Sequence, residues 1–94
     1  MKLRYTPRAA ADLERIVSYV AQRSPTGARN VRERVDAALQ RLVAHPMSAP
    51  ATSHPEIRVC FVGRYPYMIF YRVRGDEIHI VHIRHTARRP FARR

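Results

Sequence analysis

The chain lacks or has few of the cysteines, long apolar runs and catalytic motifs on which many common functions depend. It has one cysteine, Cys60, which excludes an internal disulfide and a zinc site built from several cysteines. No apolar run approaches the roughly 20 residues that a membrane-spanning helix needs, and Met1-Lys2 leads straight into polar sequence rather than a signal peptide. No Gly-rich phosphate loop, Ser-His-Asp set or paired-carboxylate site stands out. These absences predict a cytoplasmic protein that binds no membrane, metal or cofactor, with Cys60 as a small buried hydrophobe.

Acidic residues are also scarce. The chain has 18 basic and 7 acidic residues, for a formal net charge of +11. No acid lies between Ile57 and Gly75, or anywhere from Arg84 onward, and Lys2 is the single lysine among the basic residues. Arginine suits phosphate and carboxylate better than lysine does, because its planar fork donates two parallel hydrogen bonds. The surplus predicts an anionic partner, nucleic acid or an acidic protein, with biased genome composition as the alternative cause.

Two segments have the apolar spacing of helices. Thr6-Pro7 is typical of an N-cap followed by proline at the first helical position, and one apolar face then runs from Leu13 to Val20. Ser24-Pro25 repeats that signature before a second amphipathic segment, which His45-Pro46 ends. Because almost no linker separates them, the two helices are predicted to form an antiparallel hairpin.

Three strand-like runs follow, from Ile57 to Val62, Tyr67 to Val73 and Ile78 to Arg84. Short turns join them, which predicts an antiparallel meander. Lys2 to Tyr5 alternates and is interpreted as a first strand. Ninety-four residues make one domain. The predicted fold is therefore α+β, in the order β-α-α-β-β-β, with a helical hairpin packed on a small antiparallel sheet.

Two arginines fall within the otherwise apolar strands. Arg58 and Arg72 each lie in a strand that must cover the helices, and arginine is rarely buried unless it is paired. Two interpretations are open. They lie at the rim or in an ion pair with Glu56 or Asp36, or they face an open concave surface and contact an anion.

Three histidines, His79, His82 and His85, lie close together in the last strand. In a regular strand the outer two point to one face, about 20 Å apart, and His82 points to the other, so they cannot share a metal ion. We interpret His79 and His82 as ordinary sheet residues. His85 instead begins a basic run, where it suits a general acid or base beside guanidinium groups that hold a phosphate. The alternative is a solvated basic tail.

Taken together, these elements resemble the RelE/ParE superfamily of toxins from type II toxin–antitoxin modules. The features that carry the resemblance are Ala10-Ala11-Asp12-Leu13 leading to Ile16 and Tyr19, the helical hairpin ending at Leu42 and His45-Pro46, Arg58, the strand from Tyr67 to Val73, and Ile78 to Ile83 followed by His85 and Arg88-Arg89. The resemblance covers nearly the whole chain. It implies a compact toxin that inhibits growth, stabilises plasmids and is neutralised by a small antitoxin, whose C-terminal segment wraps the toxin surface.

The superfamily holds two activities on one fold, so the fold alone does not decide between them. RelE-like members cut mRNA in the ribosome, and by position Arg58, Arg72 and His85 match places where such members have catalytic groups. Thr86 follows His85, however, where an aromatic residue would favour a nuclease, and Phe91 lacks a hydroxyl.

Three tyrosines remain as substitutes for the missing hydroxyl, namely Tyr65, Tyr67 and Tyr71. The Ala-Ala-Asp-Leu and Tyr-Arg-Val segments are closer to ParE-like members, which poison DNA gyrase. The resemblance therefore favours a ParE-like toxin that inhibits DNA gyrase. The residues predicted to bind the target or another anion are Arg64, Arg84, Arg88 and Arg89.

Two alternatives are retained. One is a RelE-like ribosome-dependent mRNA endoribonuclease, with Arg58 and Arg72 on the phosphate and His85 as acid or base. The other is a small nucleic-acid-binding module without toxicity.

Overall fold

Two helices form the hairpin that the sequence predicts. The structure is a computed structural model, and it describes residues 1–86. Helix α1 spans Pro7–Ala21 and helix α2 spans Pro25–Ala44. Each begins at its predicted cap: the Thr6 hydroxyl accepts from the backbone N–H of Ala9, and the Ser24 hydroxyl accepts from that of Gly27. Both caps satisfy an amide that the helix itself leaves unpaired.

Four strands form one sheet, in the order β1-β4-β3-β2. They are β1 (Lys2–Tyr5), β2 (Arg58–Phe61), β3 (Tyr67–Arg74) and β4 (Glu77–His85). The meander from β2 to β4 is antiparallel, as predicted. The sheet as a whole is mixed rather than antiparallel, because β1 pairs parallel with β4. A parallel neighbour needs a long connection. Here the helical hairpin crosses from β1 at one edge of the sheet to β2 at the other, and the meander then leads back through β3 to β4.

The core lies between the helices and one face of the sheet, here called the helix-covered face. Its buried residues come from both layers: Leu13 from α1; Val31, Val35, Ala38, Leu39 and Leu42 from α2; and Ile69, Tyr71, Ile78, Ile80 and Ile83 from the sheet. Tyr71 is fully buried, and its hydroxyl donates to the carbonyl of Pro46 at 2.8 Å. That bond ties the segment after α2 to the centre of the sheet. The opposite face of the sheet, here called the open face, contributes none of the described residues of β3 or β4 to this core.

A β-bulge interrupts β4. Tyr71 pairs with Ile80, but the preceding residue Phe70 pairs with His82, so Val81 is an extra residue between the two pairs. A bulge of this kind shifts the alternation of side chains by one position. Ile80 and Ile83, three residues apart, are consequently both buried in the same core.

The bulge corrects the predicted orientation of the histidines. His79 pairs with Arg72 and His82 pairs with Phe70, and paired residues of antiparallel strands lie on one face. His79 and His82 therefore share the open face. His85 pairs with Tyr67 on the other face. The expectation of regular alternation was wrong because it assumed an unbroken pleat.

Candidate functional site

A cleft forms beside the part of β4 that extends beyond its pairing with β1. Strand β1 pairs only with Glu77 to Ile80, and β4 runs on to His85 with α1 beside it. The pairing of β1 with β4 ends at Thr6, whose hydroxyl and backbone N–H both donate to the carbonyl of Ile80. The resulting α1–β4 cleft has a volume of about 550 Å³. Its lining residues are Asp12, Arg15, Ile16, Tyr19, Tyr67, His82, Ile83, Arg84 and His85.

A buried carboxylate lies at the base of this cleft. Asp12 is only 2% exposed. One of its oxygens accepts from Arg15 Nη2 at 2.6 Å, and the other accepts from the Ile83 backbone N–H at 3.0 Å and from His82 Nδ1 at 2.6 Å. Burial by itself would raise the pKa of the Asp12 carboxyl, but the hydrogen bonds from Ile83 and His82, with Arg15 nearby, hold that pKa below its usual range. Asp12 is therefore ionised and joins α1 to the part of β4 that β1 does not reach.

The Asp12 contact defines the tautomer of His82. An ionised carboxylate only accepts hydrogen bonds, so His82 Nδ1 carries the proton. The other ring nitrogen, Nε2, lies 3.4 Å from Arg8 Nη2, which can only donate. The ring also stacks on Phe70, with centroids 5.7 Å apart. His82 was expected to be an ordinary sheet residue, and this network corrects that interpretation.

A sequence signal for the network did exist. Asp12 lies three residues after Ala9 and four before Ile16, so it falls on the apolar face of α1. A charged residue is almost never buried without partners. The position therefore required a hydrogen-bonding partner, although the sequence does not reveal which one.

The predicted site residues are distributed over several places. His85 and Arg84 line the α1–β4 cleft, and the His85 ring makes an edge contact with the ring of Tyr67 at 5.4 Å between centroids. Arg64 is exposed in the turn between β2 and β3. Arg88 and Arg89 lie outside the described residues.

The two strand arginines lie on opposite faces of the sheet. Arg58 pairs with Tyr71 on the helix-covered face, where its Nη1 donates to the Ala49 carbonyl at 2.5 Å. Arg72 lies on the open face, and its Nε is buried without a hydrogen-bond partner in the described part of the chain. Within residues 1–86 neither arginine forms an ion pair with Glu56 or Asp36; Glu56 pairs with Arg74 instead, at 3.3 Å.

Of the three candidate tyrosines, Tyr71 is committed to the core. Burial raises the pKa of its hydroxyl, which is already bonded to Pro46. Tyr65 packs against the core, and Tyr67 lines the α1–β4 cleft. Cys60 is partly buried against the core, and burial raises the pKa of its thiol, as suits a small apolar residue rather than a nucleophile.

Residues 1–86 contain neither a metal-binding cluster nor a membrane-spanning helix. No group of three or more His, Cys, Asp or Glu side chains in that range is arranged to hold a metal ion. Neither of the described helices is both long and apolar enough to cross a bilayer.

Known proteins are similar to this chain in sequence and fold along most of its length. A family model described as the ParE toxin of the type II toxin–antitoxin system parDE matches residues 3–90. Toxin RelE2 of Caulobacter vibrioides is 36% identical over 84 residues, which cover 89% of this chain and 93% of that protein. A solved structure described as the chromosomal ParDE TA system from P. aeruginosa has a TM-score of 0.78 at 31% identity, covering 90% of this chain and 95% of that one. The chain therefore belongs to the ParE toxin family, within the RelE/ParE superfamily, and is the toxin of a type II toxin–antitoxin system whose partner is an antitoxin.

Proposed function

We propose that this toxin acts in the cytoplasm by poisoning DNA gyrase. The observation that carries the proposal is the separation of Arg58 from Arg72. A phosphate clamp of the RelE-like kind needs guanidinium groups that converge on one anion. Here the two arginines lie on opposite faces of the sheet, and Arg58 already donates a hydrogen bond to the Ala49 carbonyl. The matching ParE family model supports the same choice.

The surfaces proposed to contact the target are basic. Arg84 and His85 line the α1–β4 cleft, and Arg64 projects from the turn between β2 and β3. Arg88 and Arg89 follow directly in the sequence and extend the run of positive charge. Surface charge of one sign mainly accelerates association and selects the partner, so we propose these side chains as recognition groups rather than catalytic ones.

The antitoxin is proposed to wrap the toxin with an acidic, amphipathic C-terminal segment. The net charge of +11 favours an acidic partner. Phe61 is 58% exposed on β2, beside Met68 of β3, and an apolar side chain from the partner would cover it. A segment with both properties would neutralise the charge and bury the exposed apolar surface together.

A supercoiling assay tests the gyrase proposal. The toxin is co-expressed with the product of the neighbouring short reading frame, separated from it under denaturing conditions and refolded. It is then added to gyrase and relaxed plasmid. We expect supercoiling to stop, cleaved DNA to accumulate, and the antitoxin to restore activity. Undiminished supercoiling at a large excess of refolded toxin would refute the proposal.

A ribosome-dependent endoribonuclease is the second candidate, and one observation favours it. His82 and His85 line the same cleft, and imidazole is the usual group for the base and acid steps of RNA cleavage. That reading predicts loss of mRNA cleavage in His85→Ala and in Arg72→Ala. His54→Ala, at an exposed loop histidine, serves as the matched control. Cleavage that survives both site substitutions would eliminate this assignment.

A further inference from the structure

We propose that Arg72, on the open face of the sheet, binds a carboxylate of the antitoxin, and that Phe61 on the same face takes an apolar side chain of the same segment. This inference rests on the proposal that an acidic, amphipathic segment of the antitoxin wraps the toxin. It does not depend on whether gyrase or the ribosome is the target.

Arg72 has a donor that the chain itself leaves unused. The residue lies in β3 and is half-buried, and its Nε is buried without a hydrogen-bond partner in the described part of the chain. A buried donor without an acceptor destabilises the fold that contains it, and arginine is rarely buried unless it is paired. The unused donor is therefore an unfavourable feature of the free toxin, and a bound acceptor would relieve it.

No acidic side chain of this protein neutralises Arg72. All seven Asp and Glu residues of the sequence fall within residues 1–86, and none of them forms an ion pair with Arg72. Glu77, on the neighbouring strand, is already within 2.8 Å of both Arg4 and His79, and Glu56 pairs with a different arginine. A side-chain carboxylate for Arg72 must therefore come from another molecule.

Phe61 provides the second contact on the open face. It pairs with Met68 of β3, four residues before Arg72, and residues four apart in a strand point to the same side. Phe61 is 58% exposed. Four residues of strand and one spacing between strands place Phe61 and Arg72 about 14 Å apart. An extended segment with an apolar and an acidic residue four positions apart matches this separation, because both side chains face the sheet together.

A protein segment fits this face better than a nucleic acid does. Each strand of a nucleic acid carries a charge about every 3.4 Å, so the phosphates next to one bound at Arg72 would approach Glu77. A single carboxylate meets Arg72 without that repulsion. The exposed ring of Phe61 also offers apolar area that a side chain of a protein partner would bury.

The test measures the affinity of the co-expressed antitoxin for refolded toxin by surface plasmon resonance, in the absence of gyrase and ribosomes. The decisive variant is Arg72→Met, which keeps the length of the side chain and removes its donors. We expect its affinity for the antitoxin to fall about 10- to 150-fold, the range for a hydrogen bond to a charged group. We expect the melting temperature of the free variant to be equal or higher, because an unsatisfied donor is removed. A residue with a purely structural role would instead lower the melting temperature.

Matched variants separate the two contacts. Arg29→Met removes the same charge from an exposed position of α2 and should weaken binding less than Arg72→Met does. Arg72→Lys keeps the charge without the planar fork and should bind with intermediate affinity. Phe61→Ala should weaken binding by itself. Because sites more than about 10 Å apart act independently, the double variant should lose the product of the two separate factors.

Equal affinity of Arg72→Met and the unmodified chain, an equal loss in Arg29→Met, or a lower melting temperature of free Arg72→Met would overturn the assignment of Arg72. Equal affinity of Phe61→Ala would overturn that of Phe61. If Arg72→Met kept full antitoxin affinity but no longer inhibited gyrase, the carboxylate would belong to the target instead. Antitoxin binding that does not weaken as salt is raised would refute the acidic wrapping and this inference together, whereas salt-dependent binding that is indifferent to Arg72 would refute this inference alone.

Discussion

Replacing Asp12 should be among the most damaging single changes in this protein. Asp12→Ala removes the acceptor of two hydrogen bonds, one from the Ile83 backbone N–H and one from His82 Nδ1. Both bonds end on a carboxylate that is only 2% exposed. It also removes the ion pair with Arg15. Because the Arg15 side chain is exposed and solvent screens its charge, that ion pair contributes little to stability.

The magnitude follows from these two lost bonds. A buried N–H left without an acceptor costs about 1–3 kcal/mol, and a hydrogen bond to a charged group contributes about 1.5–3 kcal/mol. Together they predict a loss of about 3–5 kcal/mol, against a total stability of about 5–15 kcal/mol for a domain of this kind. Asp12→Asn keeps an oxygen acceptor for Ile83 and His82 but loses its charge, so about 1–2 kcal/mol is expected.

Urea unfolding at pH 7, followed by circular dichroism, measures these values. Asp36→Ala is the matched control: Asp36 is an exposed carboxylate on α2, and its loss should change the free energy of unfolding by no more than about 0.5 kcal/mol. A loss below about 1 kcal/mol for Asp12→Ala would refute the reasoning.

The same substitution has a pH signature. The folded pKa of Asp12 lies below its unfolded value, so its contribution is fully present above the unfolded pKa of about 3.9 and is lost as the pH falls through the folded pKa. The stability gap between the unmodified chain and Asp12→Asn should therefore narrow in acid. A gap that widens below pH 4 would contradict the assigned direction.

Three further predictions concern the rest of the fold. Tyr71→Phe removes the hydroxyl that donates to Pro46 and should lower the free energy of unfolding by about 0.5–1.5 kcal/mol in urea; an unchanged midpoint would mean the bond contributes nothing. The hydrogen bond from His79 is the main reason that the pKa of the Glu77 carboxyl is lowered to about 2. NMR titration should therefore find Glu77 ionised at pH 3, and His79→Ala should move its pKa toward the ordinary value of about 4.3. Gly75 has φ +58 in the turn after β3, so Gly75→Ala should reduce the melting temperature through backbone strain, although the added methyl meets no atom; an unaltered melting temperature would argue against strain there.

Local chemistry explains which parts of the fold were predictable. Thr6 and Ser24 begin the helices through hydrogen bonds that span three residues, so the pattern alone identifies them. The bulge left a weaker trace, two consecutive apolar residues at Ile80-Val81 where strict alternation would place one. That trace is ambiguous without the register of β3.

The site was less predictable because its contacts are distant in sequence. Asp12 and His82 are 70 residues apart, and no periodic pattern links a helix residue to one strand residue. The separation of Arg58 from Arg72 likewise depends on strand register, which the turn between β2 and β3 determines. Family resemblance singled out His85, which lines the cleft, but it did not single out the buried carboxylate of Asp12.

The parallel pairing of β1 with β4 has a consequence for how the toxin is made. The first strand joins a partner near the end of the chain, and the bond between Thr6 and Ile80 spans 74 residues. Contacts so distant are slow to form because a large loop must close first. The α1–β4 cleft also needs the last strand. While a ribosome is making this protein, the sheet therefore remains unfinished until β4 has been synthesised, and the cleft cannot form before that point.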